Sequence, residues 1–177
     1  FPLNGPAWSL FFEYIGNIIY ALIIRRLSTR LLAVLVALLA ALHVWIFVWD
    51  LSGYDSVGIG WTIDAINFWG GLVRMLFPFT VGMLLARTFK PRKINGTFWI
   101  CSAILIATFA VPYIASEGTI SLNSLYEVVC IALIFPAIVW IGACGKSSGL
   151  TDKINSLLGE LSYPLYIVHY PVMYLFY

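Results

Sequence analysis

Apolar residues gather into runs at about 7–25, 31–49, 67–87, 97–115, 124–143 and 156–177, separated by short polar connections. None of these runs shows the alternation of a half-buried strand, and each is long enough to be a helix. Two of them carry a polar stripe. In the first, Ser9, Glu13, Gly16 or Asn17, and Tyr20 fall on one face of a helix, while Leu10, Phe11, Ile15, Ile18, Ile19 and Leu22 cover most of the rest. In the last, Ser162, Tyr166, His169 and Met173 follow one another at spacings of four, three and four. No segment repeats another.

Composition turns these helices into membrane spans. Hydrophobic residues make up 62% of the 177 positions and charged residues only 10%, against roughly 25% charged in soluble domains. The mean hydropathy is +0.94. At about 20 apolar residues per span, the length accommodates about six transmembrane helices in a single all-α polytopic bundle over residues 1–177. Cys101, Cys130 and Cys144 stand apart from one another, which indicates neither a disulfide framework nor a zinc site. No metal-ligand cluster, nucleotide loop or basic nucleic-acid surface is visible. The chain starts at Phe1 with no signal peptide in evidence, and reads as a piece of a longer protein.

Charge orients the bundle, because Lys and Arg concentrate on the cytoplasmic side of a membrane. Arg25, Arg26 and Arg30 lie between the first two helices; Arg87, Lys90, Arg92 and Lys93 between the third and fourth; Lys146 and Lys153 between the fifth and sixth. The alternate connections hold Asp50, Asp55, Asp64 and Glu117 without Lys or Arg. The first helix therefore runs inward and the sixth outward. Trp45, Trp49, Tyr54, Trp61 and Trp69 surround the long outer connection, 50–66, as an interfacial aromatic belt would. That connection is Gly-rich and is expected to be mobile or folded over the outer face.

The tenth basic residue, Arg74, is inside the third helix. Counting about 1.5 Å per residue from the outer ends puts Glu13 and Arg74 both roughly 9 Å deep, at a level where they can pair. His169 comes out roughly 10 Å from the outer surface. Three ionisable groups thus share one level of the bilayer, and intramembrane charges usually line a pathway or site.

Each has a plainer reading. Glu13 and Arg74 can lock two helices together, or the guanidinium can serve as a fixed cation for a phosphate or carboxylate. His169 is either a packed, hydrogen-bonded histidine or a base. His43 has no polar companions at helical spacing and reads as a packing residue. Gly70, Gly71 and Gly82 suggest close helix approach, and Pro78 a freed carbonyl lining a cavity.

Three stretches together resemble a known family. Asn4-Gly5-Pro6-Ala7-Trp8-Ser9-Leu10, followed by Glu13 and Tyr20, resembles the W-S-L-x-x-E segment of the acyltransferase-3 family of multi-pass membrane O-acyltransferases. Arg74 with Phe77-Pro78-Phe79 and Gly82 resembles its R-x-x-x-P-F-x-x-G helix. Leu158-Gly159-Glu160-Leu161-Ser162-Tyr163-Pro164-Leu165-Tyr166-Ile167-Val168-His169 resembles its late L-G-x-x-S-Y-x-L-Y-x-x-H helix.

The resemblance implies transfer of an acyl group, often acetyl, from acyl-CoA (acetyl-CoA) as co-substrate, without a metal. The acceptor it implies is a hydroxyl of a carbohydrate or cell-envelope molecule, in a bacterial cytoplasmic membrane. By the resemblance, Glu13 and His169 support the chemistry, and Trp8, Ser9, Asn17, Tyr20, Arg74, Ser162 and Tyr166 bind substrate. The family's catalytic histidine follows a basic residue on an earlier helix. It is therefore expected outside this chain, on N-terminal helices of the same protein. The alternatives are a transporter of a small anionic or sugar substrate, since a pore lined by Glu, Arg, His and Tyr suits either purpose, and a structural membrane subunit.

Overall fold

A computed structural model of the chain describes residues 7–62, 64–90, 92–116, 118–146 and 149–176. Asn4, Gly5, Pro6, Glu117 and Tyr177, on which parts of the sequence reading fall, lie outside them. The fold is all-α. Its helices are α1 (Ala7–Leu22), α2 (Thr29–Val48), α3 (Ala65–Thr88), α4 (Thr97–Phe109), α5 (Leu122–Ala143) and α6 (Leu150–Met173), with a single turn of 3₁₀ helix, Ile24–Arg26, after α1. Among the described residues there is no strand, only an isolated bridge between Ile94 and Gly145 that ties two connections of one side together.

Local chemistry sets the ends of these helices. Ser28, Asp64 and Ser121 cap α2, α3 and α5, their side chains accepting from the backbone N–H of Leu31 (3.3 Å), Asn67 (3.0 Å) and Ser124 (2.9 Å). All three helices therefore begin two residues earlier than their apolar runs suggest. α4 stops at Phe109 instead of continuing to about 115, because Pro112 disfavours helical geometry in the residue before it. α6 starts six residues ahead of its apolar run; the polar turn containing Thr151, Asp152 and Lys153 is helical, which hydropathy alone does not register.

Three helices, α2, α3 and α5, are long and apolar enough to cross a membrane. α4, with 13 residues, is about 20 Å long, shorter than a hydrocarbon core of about 30 Å. α2 packs on both α3 and α5, α1 lies along α3, and α4 along α5. In the middle of α5 one π-helical turn, Cys130–Ile134, precedes Pro136, whose ring nitrogen cannot donate to the preceding turn.

The outer connection, expected to be mobile or folded over the outer face, is packed against the helices. Val57 and Ile59 are buried, at 7% and 2% exposure, in one cluster with Phe47 and Val48 of α2 and Val128 of α5. Their burial draws the connection between the helices as a re-entrant segment, which requires its backbone polar groups to find partners inside the protein. Gly70 and Gly71 make room for it. A Cβ at Gly70 would meet Ile59 at 2.5 Å, and one at Gly71 would meet the Phe12 ring at 2.7 Å and Gly60 Cα at 2.9 Å. These glycines thus admit a loop and an aromatic ring. Gly82, expected to allow close helix approach, has no atom within 4 Å of a built Cβ, because it borders a groove.

Candidate functional site

α1, α3, α6 and the re-entrant segment enclose a cavity of about 520 Å³. Trp8, Ser9, Phe12 and Glu13 line it from α1, Gly71, Arg74, Met75, Pro78 and Phe79 from α3, Tyr166, His169 and Tyr170 from α6, and Ile59, Gly60 and Trp61 from the loop. Six of the residues singled out in the sequence, Trp8, Ser9, Glu13, Arg74, Tyr166 and His169, therefore border one space. The 3.6-residue period of α1 turns Trp8, Ser9, Phe12 and Glu13 toward α3. Close seating of Phe12 against Gly71 brings the two helices together at that level.

Arg74 is half-buried, and its Nη1 donates to the Ile59 carbonyl at 2.8 Å. No ion pair joins it to Glu13 among the described residues; its guanidinium is bonded instead to the loop carbonyl, and Glu127 of α5 also acts on it electrostatically. The Glu13 side chain is exposed at the cavity edge. Pro78 provides no N–H for the carbonyl of Arg74 one turn earlier, and it borders both this cavity and the groove beside it.

The imidazole of His169 is turned back onto its own helix. Nδ1 lies 2.7 Å from the carbonyl of Tyr166 and 3.2 Å from that of Leu165, acceptors suited to an Nδ1–H. Tyr166 and Ser9 are hydrogen-bonded through their hydroxyls. The Trp8 indole Nε1 is buried in the wall without a hydrogen-bond partner among the described residues. Three other predicted residues are not among the lining. Asn17 donates to the Glu13 carbonyl (3.0 Å), Ser162 donates to the Gly159 carbonyl (2.8 Å), and Tyr20 is 41% exposed further along α1. His43 is fully buried against Phe47 and Phe77, outside the cavity, as its apolar setting implied.

A second cavity, of about 470 Å³, lies on the other side of the re-entrant segment. It is bordered by Arg74, Val57, Tyr113, Asn123, Tyr126 and Glu127 among others. The sequence pattern does not single out Glu127, which sits near the start of an apolar run, one turn after Asn123, where polar residues are ordinary. The available signal was a carboxylate one turn beyond that asparagine, inside a helix otherwise apolar to Ala143. A third space, an apolar groove of about 340 Å³ between α3 and α5, also begins at Arg74.

A bundle of this composition, with long apolar helices and ionisable groups gathered between them, is an integral membrane protein. A family model described as an acyltransferase domain matches residues 1–177, the whole chain. The chain belongs to that family, acyltransferase-3, and is an acyltransferase domain. No curated protein matches it. No solved structure matches it either.

Proposed function

We propose that this domain transfers an acyl group, acetyl in the first instance, from acyl-CoA to a hydroxyl of a carbohydrate or other cell-envelope acceptor in a bacterial cytoplasmic membrane. The supporting observation is the cavity in which Glu13, Arg74, Tyr166 and His169 meet between aromatic walls. Trp8, Trp61 and Tyr170 offer flat faces suited to a sugar ring, and the polar groups stand where a hydroxyl can be oriented.

In the proposed reaction the acceptor hydroxyl loses its proton to a base and its oxygen bonds to the thioester carbonyl carbon. The carbon–sulfur bond then breaks and the thiolate leaves. Arg74 is the cation suited to the oxyanion that forms between these steps. Glu13 and His169 support the acceptor's orientation and proton, with the main proton-accepting histidine assigned, by family resemblance, to helices preceding Trp8. Membranes containing the intact protein, supplied with labelled acetyl-CoA, test this reading. Transfer should be lost in Glu13→Ala while the protein remains in the membrane, and unchanged turnover would remove the α1 stripe from the chemistry.

A further inference from the structure

The re-entrant segment is held by polar side chains on both sides. From α5, the carboxylate of Glu127 accepts through Oε2 from Val57 N (2.7 Å) and Ser56 Oγ (3.0 Å). Through Oε1 it accepts from Asn123 Nδ2 (3.1 Å) and, at a longer 3.3 Å, from Ser56 Oγ. From α3, Arg74 Nη1 donates to the carbonyl of Ile59, and Asn67 Oδ1 accepts from the N–H groups of Gly60 (3.0 Å) and Trp61 (3.2 Å). Between the two sides the backbone turns tightly, with Ile59 N donating to the Val57 carbonyl at 2.8 Å. The N–H that Glu127 holds and the carbonyl that Arg74 holds are thus two residues apart on one bonded turn.

We propose that Glu127 is a positioning residue for acyl transfer. By fixing the Val57–Ile59 turn it fixes the carbonyl on which the Arg74 guanidinium is aimed, and so decides where Arg74 stands in the cavity wall. This role rests on the acyl-transfer reading above. Arg74 borders each of the three spaces described above, and its long side chain could turn into any of them. The Ile59 carbonyl selects one direction, and the turn that presents this carbonyl is anchored in α5 by Glu127. The Glu127 charge acts on Arg74 across the second cavity as well. Three donors, the Val57 N–H, the Ser56 hydroxyl and the Asn123 amide, hold the carboxylate in this place.

Kinetics of Glu127→Ala and Glu127→Gln in the intact protein test the role, with rates expressed per folded enzyme. Loss of the side chain should lower kcat about 10- to 100-fold, the scale on which a misplaced group slows a reaction, while KM for acyl-CoA stays near that of the parent. Glutamine keeps an oxygen for Val57 N–H and should restore most of kcat with the pH profile unchanged. A Gln variant as inactive as Ala, with a limb of the pH profile gone, would make Glu127 a proton carrier and overturn the proposal. So would wild-type kcat in Glu127→Ala at reduced yield, the mark of a purely structural residue.

A second readout follows the segment itself. Ile59→Cys, in a background with Cys101, Cys130 and Cys144 replaced by Ala, should be protected from an impermeant thiol reagent with Glu or Gln at 127 and labelled rapidly with Ala. Equal protection in all three overturns the anchoring. A parent enzyme that transfers no acyl group overturns the proposed function, and is told apart from failure of the positioning role by that labelling.

Discussion

The hydroxyls of Ser9 on α1 and Tyr166 on α6 are hydrogen-bonded to each other, joining the first and last helices across one cavity. α6 has no buried residue from Leu150 to Met173, and this bond ties the helix that carries His169 and Tyr170 to α1. An intramolecular hydrogen bond contributes about 0.5–1.5 kcal/mol net. Tyr166→Phe should therefore lower kcat/KM by about 2- to 12-fold, read as transition-state free energy. If the two hydroxyls act through each other, the Ser9→Ala, Tyr166→Phe double variant should be little worse than either single one. Full additivity in initial-rate measurements would show that they act apart.

The two stripes that meet in this bond were readable as patterns. Helical periodicity aligns Ser9 with Glu13 and Tyr166 with His169, and charge bias in the connections turns the helices so that both stripes face one level. What periodicity could not reveal was the partner of Arg74. Depth counting put it beside Glu13, but the Ile59 carbonyl of an inserted loop takes that place. Insertion depends on Val57 and Ile59 being buried between helices, and on Glu127, Arg74 and Asn67 together satisfying a few backbone groups. No single one of these residues signals a re-entrant segment. In the sequence, Gly53, Gly58 and Gly60 with the surrounding serines read as an ordinary surface connection.

The outer connections carry a pH dependence that can be worked out in sign. Asp64 has its carboxyl pushed down to about 2 by hydrogen bonds from the Thr62 side chain and the Asn67 backbone. Asp55 is held below the usual carboxylate value by Ser121, Tyr113 and Ser116. A depressed folded value stabilises the protein fully above the unfolded one, near 3.8, and the contribution is lost as pH falls through the folded value. Tyr113 is raised by its bond to Asp55, so its contribution is full below about 10 and fades at more alkaline pH. The melting temperature of the detergent-solubilised protein should exceed that of Asp64→Asn by a constant margin above pH about 4, with the margin closing toward pH about 2. A margin independent of pH over that interval would contradict the assignment.

Gly71 and Gly82, on the same helix, should respond in opposite ways to the same change. Alanine at Gly71 would press its methyl against the Phe12 ring at 2.7 Å and the Gly60 backbone at 2.9 Å, and neither is a flexible chain end that can move aside. Overpacking of this kind destabilises by about 1–3 kcal/mol. Because Phe12, Gly60 and Gly71 all line the cavity, acyl transfer should fall along with the melting temperature. At Gly82 a methyl meets nothing within 4 Å. There the main effect is the lower conformational entropy of the unfolded chain, and Gly82→Ala should stabilise the helix by about 0.5–1 kcal/mol. The two melting temperatures should thus move apart, Gly71→Ala downward and Gly82→Ala upward. A loss of stability at Gly82 would mean that another element packs into the α3–α5 groove, closing the space that now begins at Arg74.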